Sequence, residues 1–222
     1  MSTAGQLVWY VGYASNLDRA RFLVYIQGGS APGRSYFQPG CADRTLPRAD
    51  HAISIDHELY FAGESPIYKG GVAFVSPQTG GQPTKARAYL VTYEQFCEIV
   101  QQENHCDQPI AIPTVAQIRR QNGAILRPNQ QTLSQYTRLL YCGELDGHPL
   151  LSFTAPELPA KYVAPSAAYI RTIGRGLHQS HHLSSADVAA YLATKPGVSG
   201  AYTPEHLQTI LDTDPLLSPS AP

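Results

Sequence analysis

The run Trp9-Tyr10-Val11-Gly12-Tyr13-Ala14-Ser15-Asn16-Leu17 constrains the fold of this chain more than any other stretch. Leu7 to Val11 has the β-branched and aromatic character of a buried strand. Ser15, Asn16 and Asp18 suit a helix N-cap, and apolar residues follow at Ala20, Leu23, Val24 and Ile26. The spacing predicts a strand, a tight polar turn and a helix in immediate succession. A turn of small residues at a helix start leaves backbone N–H groups pointing outward. With the helix dipole behind them, those groups favour an anion such as a substrate carboxylate. On spacing alone the segment reads as an ordinary strand–turn–helix.

Composition bounds the function classes. At 222 residues, 43% of them hydrophobic and 15% charged, the chain is long enough for a sizeable core and reads as globular. A formal charge of −1 and a pI near 6.7 leave no electrostatic footprint for nucleic acid or an anionic membrane. No membrane-length apolar run and no basic-then-apolar leader is seen, so a soluble, cytoplasmic protein is expected. Cys41, Cys97, Cys106 and Cys142 are scattered without a Cys-x-x-Cys pair and read as reduced thiols.

Along the chain, a strand-rich body precedes a helical end. Ala52 to Asp56 alternates like a half-buried strand, and Glu58 to Ala62 is expected to pair with it through a turn near His57. Ile67 to Val75 and Lys85 to Thr92 read as further strands, and Thr92 as the N-cap of a helix carrying Phe96, Ile99 and Val100. Asp146-Gly147 between Arg138–Glu144 and His148–Thr154 is a strong hairpin signal. Pro165 to Leu177 and Ser184 to Ala193 read as helices, the second opened by a Ser184–Asp187 capping box. With no repeat or linker, residues 1–212 are expected to form a single domain and 213–222 a frayed Pro/Ser-rich tail. The fold class expected is α+β, a small mostly antiparallel barrel-like sheet with packed helices.

Tyr13-Ala14-Ser15-Asn16-Leu17 resembles the Tyr-Gly-Ser-Asn-Leu loop of the gamma-glutamylcyclotransferase-like family, which also follows the first strand. Glu103 in Val100-Gln101-Gln102-Glu103-Asn104 matches the catalytic glutamate of that family's Leu-Asp-x-x-Glu-Gly pattern. Pro165-Ser166-Ala167-Ala168-Tyr169 matches its Pro-Ser-x-x-Tyr helix start, and Gly70-Gly71 in Tyr68-Lys69-Gly70-Gly71-Val72-Ala73 resembles its paired glycines before Val/Ala in the third or fourth strand. The likeness runs in order from residue 7 to about 192. It implies the same fold, a small barrel with helices outside, and a small-molecule gamma-glutamyl substrate. It also implies Glu103 as acid/base, Tyr13, Ala14, Ser15, Asn16 and Leu17 as the ligand cradle, and Tyr169 as a pocket-wall hydroxyl. Where the family has glycine, this chain has Ala14 and Asn104. Ala14 would be strained at the positive φ that glycine permits, and Asn104 tolerates the left-handed backbone expected past a helix end.

The chemistry so implied is cyclisation of a gamma-glutamyl amide to 5-oxoproline. The substrate's own α-amine attacks its γ-carbonyl, so the enzyme's main task is to hold a cyclisation-ready conformer. One carboxylate can carry the proton from the attacking nitrogen to the leaving one, and no metal or organic cofactor is required. Two other readings stand beside it. His178, His181 and His182, close in sequence, suggest a metal-dependent amide hydrolase or deacetylase, against the plainer reading of polar histidines at a helix–helix turn. The same fold could also bind a small amino-acid-like ligand without turning it over. No exposed heptad or stripe marks an oligomer.

Overall fold

The apolar run that opens the chain becomes β1 (Leu7–Gly12), whose residues from Val8 onward are all buried. The computed structural model of the protein describes residues 5–30, 37–65, 67–106, 109–127, 135–215 and 217. After β1 come a single 3-10 turn (Ser15–Leu17), α1 (Arg19–Gln27), β2 (Gly29–Ser30), β3 (Phe37–Gln38), β4 (Asp50–Ile55), β5 (Leu59–Ser65) and β6 (Gly70–Val75). Next are β7 (Thr84–Thr92), α2 (Tyr93–Glu103), α3 (Val115–Gln121), β8 (Ala124–Ile125), β9 (Arg138–Leu145) and β10 (His148–Thr154). Helices α4 (Ala167–His181), α5 (Ser185–Ala193) and α6 (Pro204–Asp212) end the series.

The main sheet has the strand order β4-β7-β1-β10-β9-β8. Strand β1 runs antiparallel to β7, with Leu7 opposite Thr92 and Gly12 opposite Arg87, and parallel to β10, with Trp9 opposite Leu150. Strands β9 and β10 form a hairpin whose central Asp146 and Gly147 both take positive φ (49° and 76°), as a tight two-residue turn demands, and β8 pairs with β9, Ala124 opposite Leu139. The expected α+β class, a mostly antiparallel sheet with helices, is what forms. Among the described residues the strand order is open, and hydrogen bonding does not close it into a barrel.

One expected pairing is replaced. Strand β5 does not fold back on β4; it pairs with β6, Leu59 opposite Val75 and Phe61 opposite Ala73. Leu59, Tyr60, Phe61 and Ala62 are all buried, and the strand beside them, β6, is likewise largely buried, whereas β4 is half-exposed; β5 pairs with the strand whose burial matches its own. His57 is buried, with Nδ1 2.8 Å from the Ser76 carbonyl. In β6 the paired glycines admit another stretch of backbone. The Gly71 N–H donates to the Ala164 carbonyl at 2.8 Å, and a Cβ at Gly71 would lie 2.0 Å from the Val163 oxygen.

The described chain divides into two compact units, each drawn from separated stretches. The first comprises the chain up to Gly12 with Ala20–Ile53 and Arg87–Glu157; the second comprises Tyr13–Arg19, Ser54–Ala86 and the chain from Leu158. An aromatic stack fills the core of the first unit: Phe22 lies 3.9 Å from Tyr89 between ring centroids, and Tyr10 rests on Phe22 and Phe153 at 5.3 and 5.7 Å.

Helix starts follow the expected capping chemistry. Thr92 accepts from the Gln95 N–H, Ser166 from Tyr169 and Ser184 from Asp187. Helices α3 and α6 were not anticipated, although Thr114-x-x-Gln117 makes a full capping box and Thr203-Pro204 supplies an N-cap with proline at the first helical position. Part of the stretch expected to fray, 213–222, lies among the described residues. Asp214 is buried and ion-paired to Arg175, and Leu217 is buried; residues 218–222 lie outside the described residues.

Candidate functional site

The small-residue loop after β1 is built as one 3-10 turn. Within it, the Leu17 N–H donates to the Ala14 carbonyl at 3.0 Å and the Asp18 N–H to the Ser15 carbonyl at 3.2 Å. Those two donors serve the turn itself, so the Leu17 N–H is not available to the expected cradle. The side chains of Tyr13, Asn16 and Leu17 are buried, and Ala14 and Ser15 are half-exposed. Ala14 has φ −134°. The strain expected for alanine at a left-handed position does not arise, because this turn takes its residues through negative φ.

Helix α4 fixes the turn from below. Gly176 sits where a Cβ would come within 2.3 Å of the Leu17 Cβ and 2.5 Å of the Asp18 nitrogen. Arg175 donates from Nε to Asp18 Oδ2 at 3.0 Å and from Nη1 to Asp214 Oδ2 at 2.6 Å. Burial works against the guanidinium charge, but hydrogen bonds and attraction from the two carboxylates outweigh it and raise the Arg175 pKa. Tyr169 lies on the same helix, buried, with its ring 4.2 Å from that of Tyr68 and edge-on to Phe61 at 6.2 Å. The turn and Tyr169 thus belong to the second unit.

Glu103 belongs to the first unit, as the last residue of α2, and is half-buried. A carboxylate at a helix C-terminus is disfavoured by the dipole. The chain offsets this with a specific partner: the hydroxyl of Tyr25, two turns into α1, donates to the Glu103 carboxylate. Arg21, one turn earlier, donates from Nη2 to the same hydroxyl at 2.9 Å, and its guanidinium carbon lies 4.7 Å from the Tyr25 ring centre. Burial first, and then the Glu103 charge, push the Tyr25 pKa well above the ordinary phenol value. Neither Tyr25 nor Arg21 was singled out from the sequence; their i, i+4 spacing on α1 was the available signal. The left-handed residue past α2 is His105 (φ 51°), whereas Asn104 has φ −91°. Asn104 instead caps the helix with its side chain, donating to the carbonyls of Val100 and Tyr136, both at 3.0 Å.

Beside the last turns of α2, in the first unit, lies a polar cavity of about 420 Å³ lined in part by Gln38, Glu98, Gln101, Gln102 and His105. Glu103 does not line it. The cysteines are unbridged, and burial pushes the Cys97 and Cys142 thiols up to about 11 and about 12, so neither is a ready thiolate.

The histidine cluster closes α4. His178 Nδ1 lies 3.0 Å from the Leu183 carbonyl, His181 Nε2 lies 3.0 Å from the Ala86 carbonyl, and His182 is the exposed left-handed C-cap (φ 56°). Among the described residues, no three His, Cys, Asp or Glu side chains converge as a metal-ligand set. The three histidines expected as alternative ligands therefore serve the helix end, where partial negative charge suits them.

Comparison with solved structures defines the class: the chain has the gamma-glutamylcyclotransferase-like fold. It superimposes on a gamma-glutamyl cyclotransferase with a TM-score of 0.50 at 14% identity, over 93% of this chain and 99% of the other. It also resembles an uncharacterised human protein, with a TM-score of 0.48 at 14% identity over 93% and 99% of the two chains. No family model matches the sequence. Among curated proteins it is similar to histone deacetylase 5 of Arabidopsis thaliana, 31% identical over 202 residues. That match takes in 83% of this chain, which spans only 30% of the length of the deacetylase. No helix among the described residues is long and apolar enough to cross a membrane.

Proposed function

We propose that this chain is a cytoplasmic gamma-glutamylcyclotransferase-like enzyme that releases 5-oxoproline and an amine from a gamma-glutamyl amide or amino acid. The observation that carries the reading is Glu103, a half-buried carboxylate given a dedicated hydroxyl donor at the end of α2, in a chain with this fold. In the reaction the α-amino nitrogen forms a bond to the γ-carbonyl carbon, and the bond from that carbon to the leaving nitrogen breaks. Glu103 takes the proton lost by the attacking amine and returns it to the leaving nitrogen, ending as it began. By the motif resemblance, the residues proposed for substrate contact in the second unit are Tyr13 to Leu17, for a carboxylate or oxyanion, and the hydroxyl of Tyr169. Unbridged thiols fit a reducing compartment.

The likeness to part of a plant histone deacetylase favours one second reading, that the chain takes part in deacylation, alone or within a longer protein. His178, His181 and His182 do not supply a ligand set for it.

The test is 5-oxoproline release from a panel of gamma-glutamyl amino acids and amines, run with wild type, Glu103→Gln and EDTA-treated wild type. Release that survives EDTA and falls by about a hundredfold or more in Glu103→Gln supports the cyclotransferase. EDTA-sensitive hydrolysis of acyl-lysine peptides without 5-oxoproline would move the assignment to a deacylase. Saturable substrate binding without turnover would make the chain a binding module.

A further inference from the structure

The cavity of about 420 Å³ beside α2 lies wholly within the first unit, and Glu103 does not line it. Glu98, Gln101, Gln102 and His105 stand at i, i+3, i+4 and i+7, so one face of α2 and its exit supplies a wall. The amides of that wall have a fixed sense. Gln101 Nε2 donates to the Cys106 carbonyl at 3.2 Å, and Gln102 Nε2 to the Tyr25 carbonyl at 3.0 Å. A carbonyl can only accept, so in each amide the nitrogen faces it and the oxygen is left for another donor. Gln102 is 8% exposed, and its Oε1 has no hydrogen-bond partner among the described residues. A buried acceptor without a donor carries a cost that a ligand N–H removes, and the terminal torsion of glutamine is soft enough for a small turn toward one. Glu98 Oε2 accepts the Ala42 N–H at 2.8 Å, which pins the carboxylate and leaves it further lone pairs.

We propose that this cavity binds a small organic ammonium ion, held by the Glu98 carboxylate and the amide oxygens of Gln101 and Gln102. The wall offers oxygen acceptors around one negative charge, and a primary ammonium brings three N–H donors and one positive charge. Among the described lining residues there is no Lys or Arg, so a carboxylate or phosphate ligand would meet Glu98 without a guanidinium or ammonium to hold it. Arg44 donates to the Pro39 carbonyl at 3.4 Å, but it does not line the cavity and is exposed to water, which screens it. A single carboxylate among neutral amides also suits a monocation better than a calcium ion, which takes about six to eight oxygen ligands. The site is separate from the acid/base role of Glu103 and does not depend on it.

The experiment titrates n-butylammonium chloride into wild type, Glu98→Gln, Gln101→Met and Glu94→Gln near neutral pH and at constant ionic strength. Binding is followed by NMR at the side-chain amides of Gln101 and Gln102, with n-butanol and sodium butyrate as the neutral and anionic matches. The expected result is saturable shifts at those amides with a Kd of about 1 mM, and binding at least about tenfold weaker for butanol and butyrate. Glu98→Gln keeps an oxygen for the Ala42 N–H but loses the charge, and weakens butylammonium by about tenfold or more. Gln101→Met removes one acceptor from the half-exposed part of the wall, weakens binding by about threefold or more, and carries the test should Glu98→Gln fail to fold. Glu94→Gln, in the first turn of α2 and outside the lining, binds like wild type. No saturation by about 50 mM, shifts confined to other residues, butanol binding as tightly as butylammonium, or folded Glu98→Gln or Gln101→Met binding like wild type overturns the site. Release of 5-oxoproline is not read in this titration, so each of these outcomes leaves the proposed function standing.

Discussion

At the scale of single residues, Ala14 and Asn104 show how a substitution can look costly in a motif and be harmless in a turn. Both stand where a glycine-dependent backbone was expected, and both take negative φ, at −134° and −91°. The left-handed step past α2 is taken by His105. Glycine matters instead where backbones touch. Gly71→Ala places a methyl 2.0 Å from the Val163 oxygen and is expected to cost about 3 kcal/mol, read as a lowered urea midpoint with an unchanged slope. Asp187 carries a second prediction. Its hydrogen bonds from Ser184 hold its carboxyl below the ordinary 3.8, so the capping box stabilises α5 fully above that value. The contribution is lost as pH falls through the lower, folded-state value. Asp187→Asn is expected to lower stability near neutral pH, with the gap to wild type closing below 3.8; a gap independent of pH would remove the ionised carboxylate from the account.

At the scale of elements, α4 is the organising piece of the second unit. Its N-terminal part carries Tyr169, its middle carries the close approach at Gly176 and the Arg175 ion pairs, and its end is closed by histidines. Arg175→Leu strands two buried carboxylates and is expected to cost about 3 kcal/mol or more. Pairing it with Asp18→Asn and Asp214→Asn should restore part of the loss, a non-additivity that a denaturation cycle measures directly. Most element boundaries were legible because caps and hairpin turns are local chemistry: Thr92, Ser166, Ser184 and Asp146-Gly147 announce themselves within four residues. The partner of β5 was not legible. An apolar strand buried on both faces carries no alternation, and nothing local says which strand will hydrogen-bond along its edge.

At the scale of the molecule, the chain builds two compact units from interleaved stretches, so neither corresponds to a continuous block of sequence. Covalent cross-links contribute nothing to holding it, since the four cysteines are unbridged. Dithiothreitol is therefore expected to leave the melting temperature unchanged, and four thiols should titrate in denaturant; a shift on reduction would expose an unrecognised bridge. The candidate chemistry divides in the same way. The Tyr13–Leu17 turn, Glu103 and Tyr169 were chosen from short motifs, and local order is enough to read such motifs. Sequence alone determined the strand–turn–helix opening, the caps of α2, α4 and α5, and the hairpin. Only the tertiary structure decided the open strand order, the β5–β6 pairing, the burial of Asp214 and Leu217, and the engagement of the histidines with backbone carbonyls. It alone also set Tyr25, bonded to Arg21 within α1, beside Glu103, some 80 residues later in the chain. The physical reason is range. Capping and turn chemistry act over a few bonds, whereas which buried faces and charges meet is set by competition for water-free surface across the whole chain.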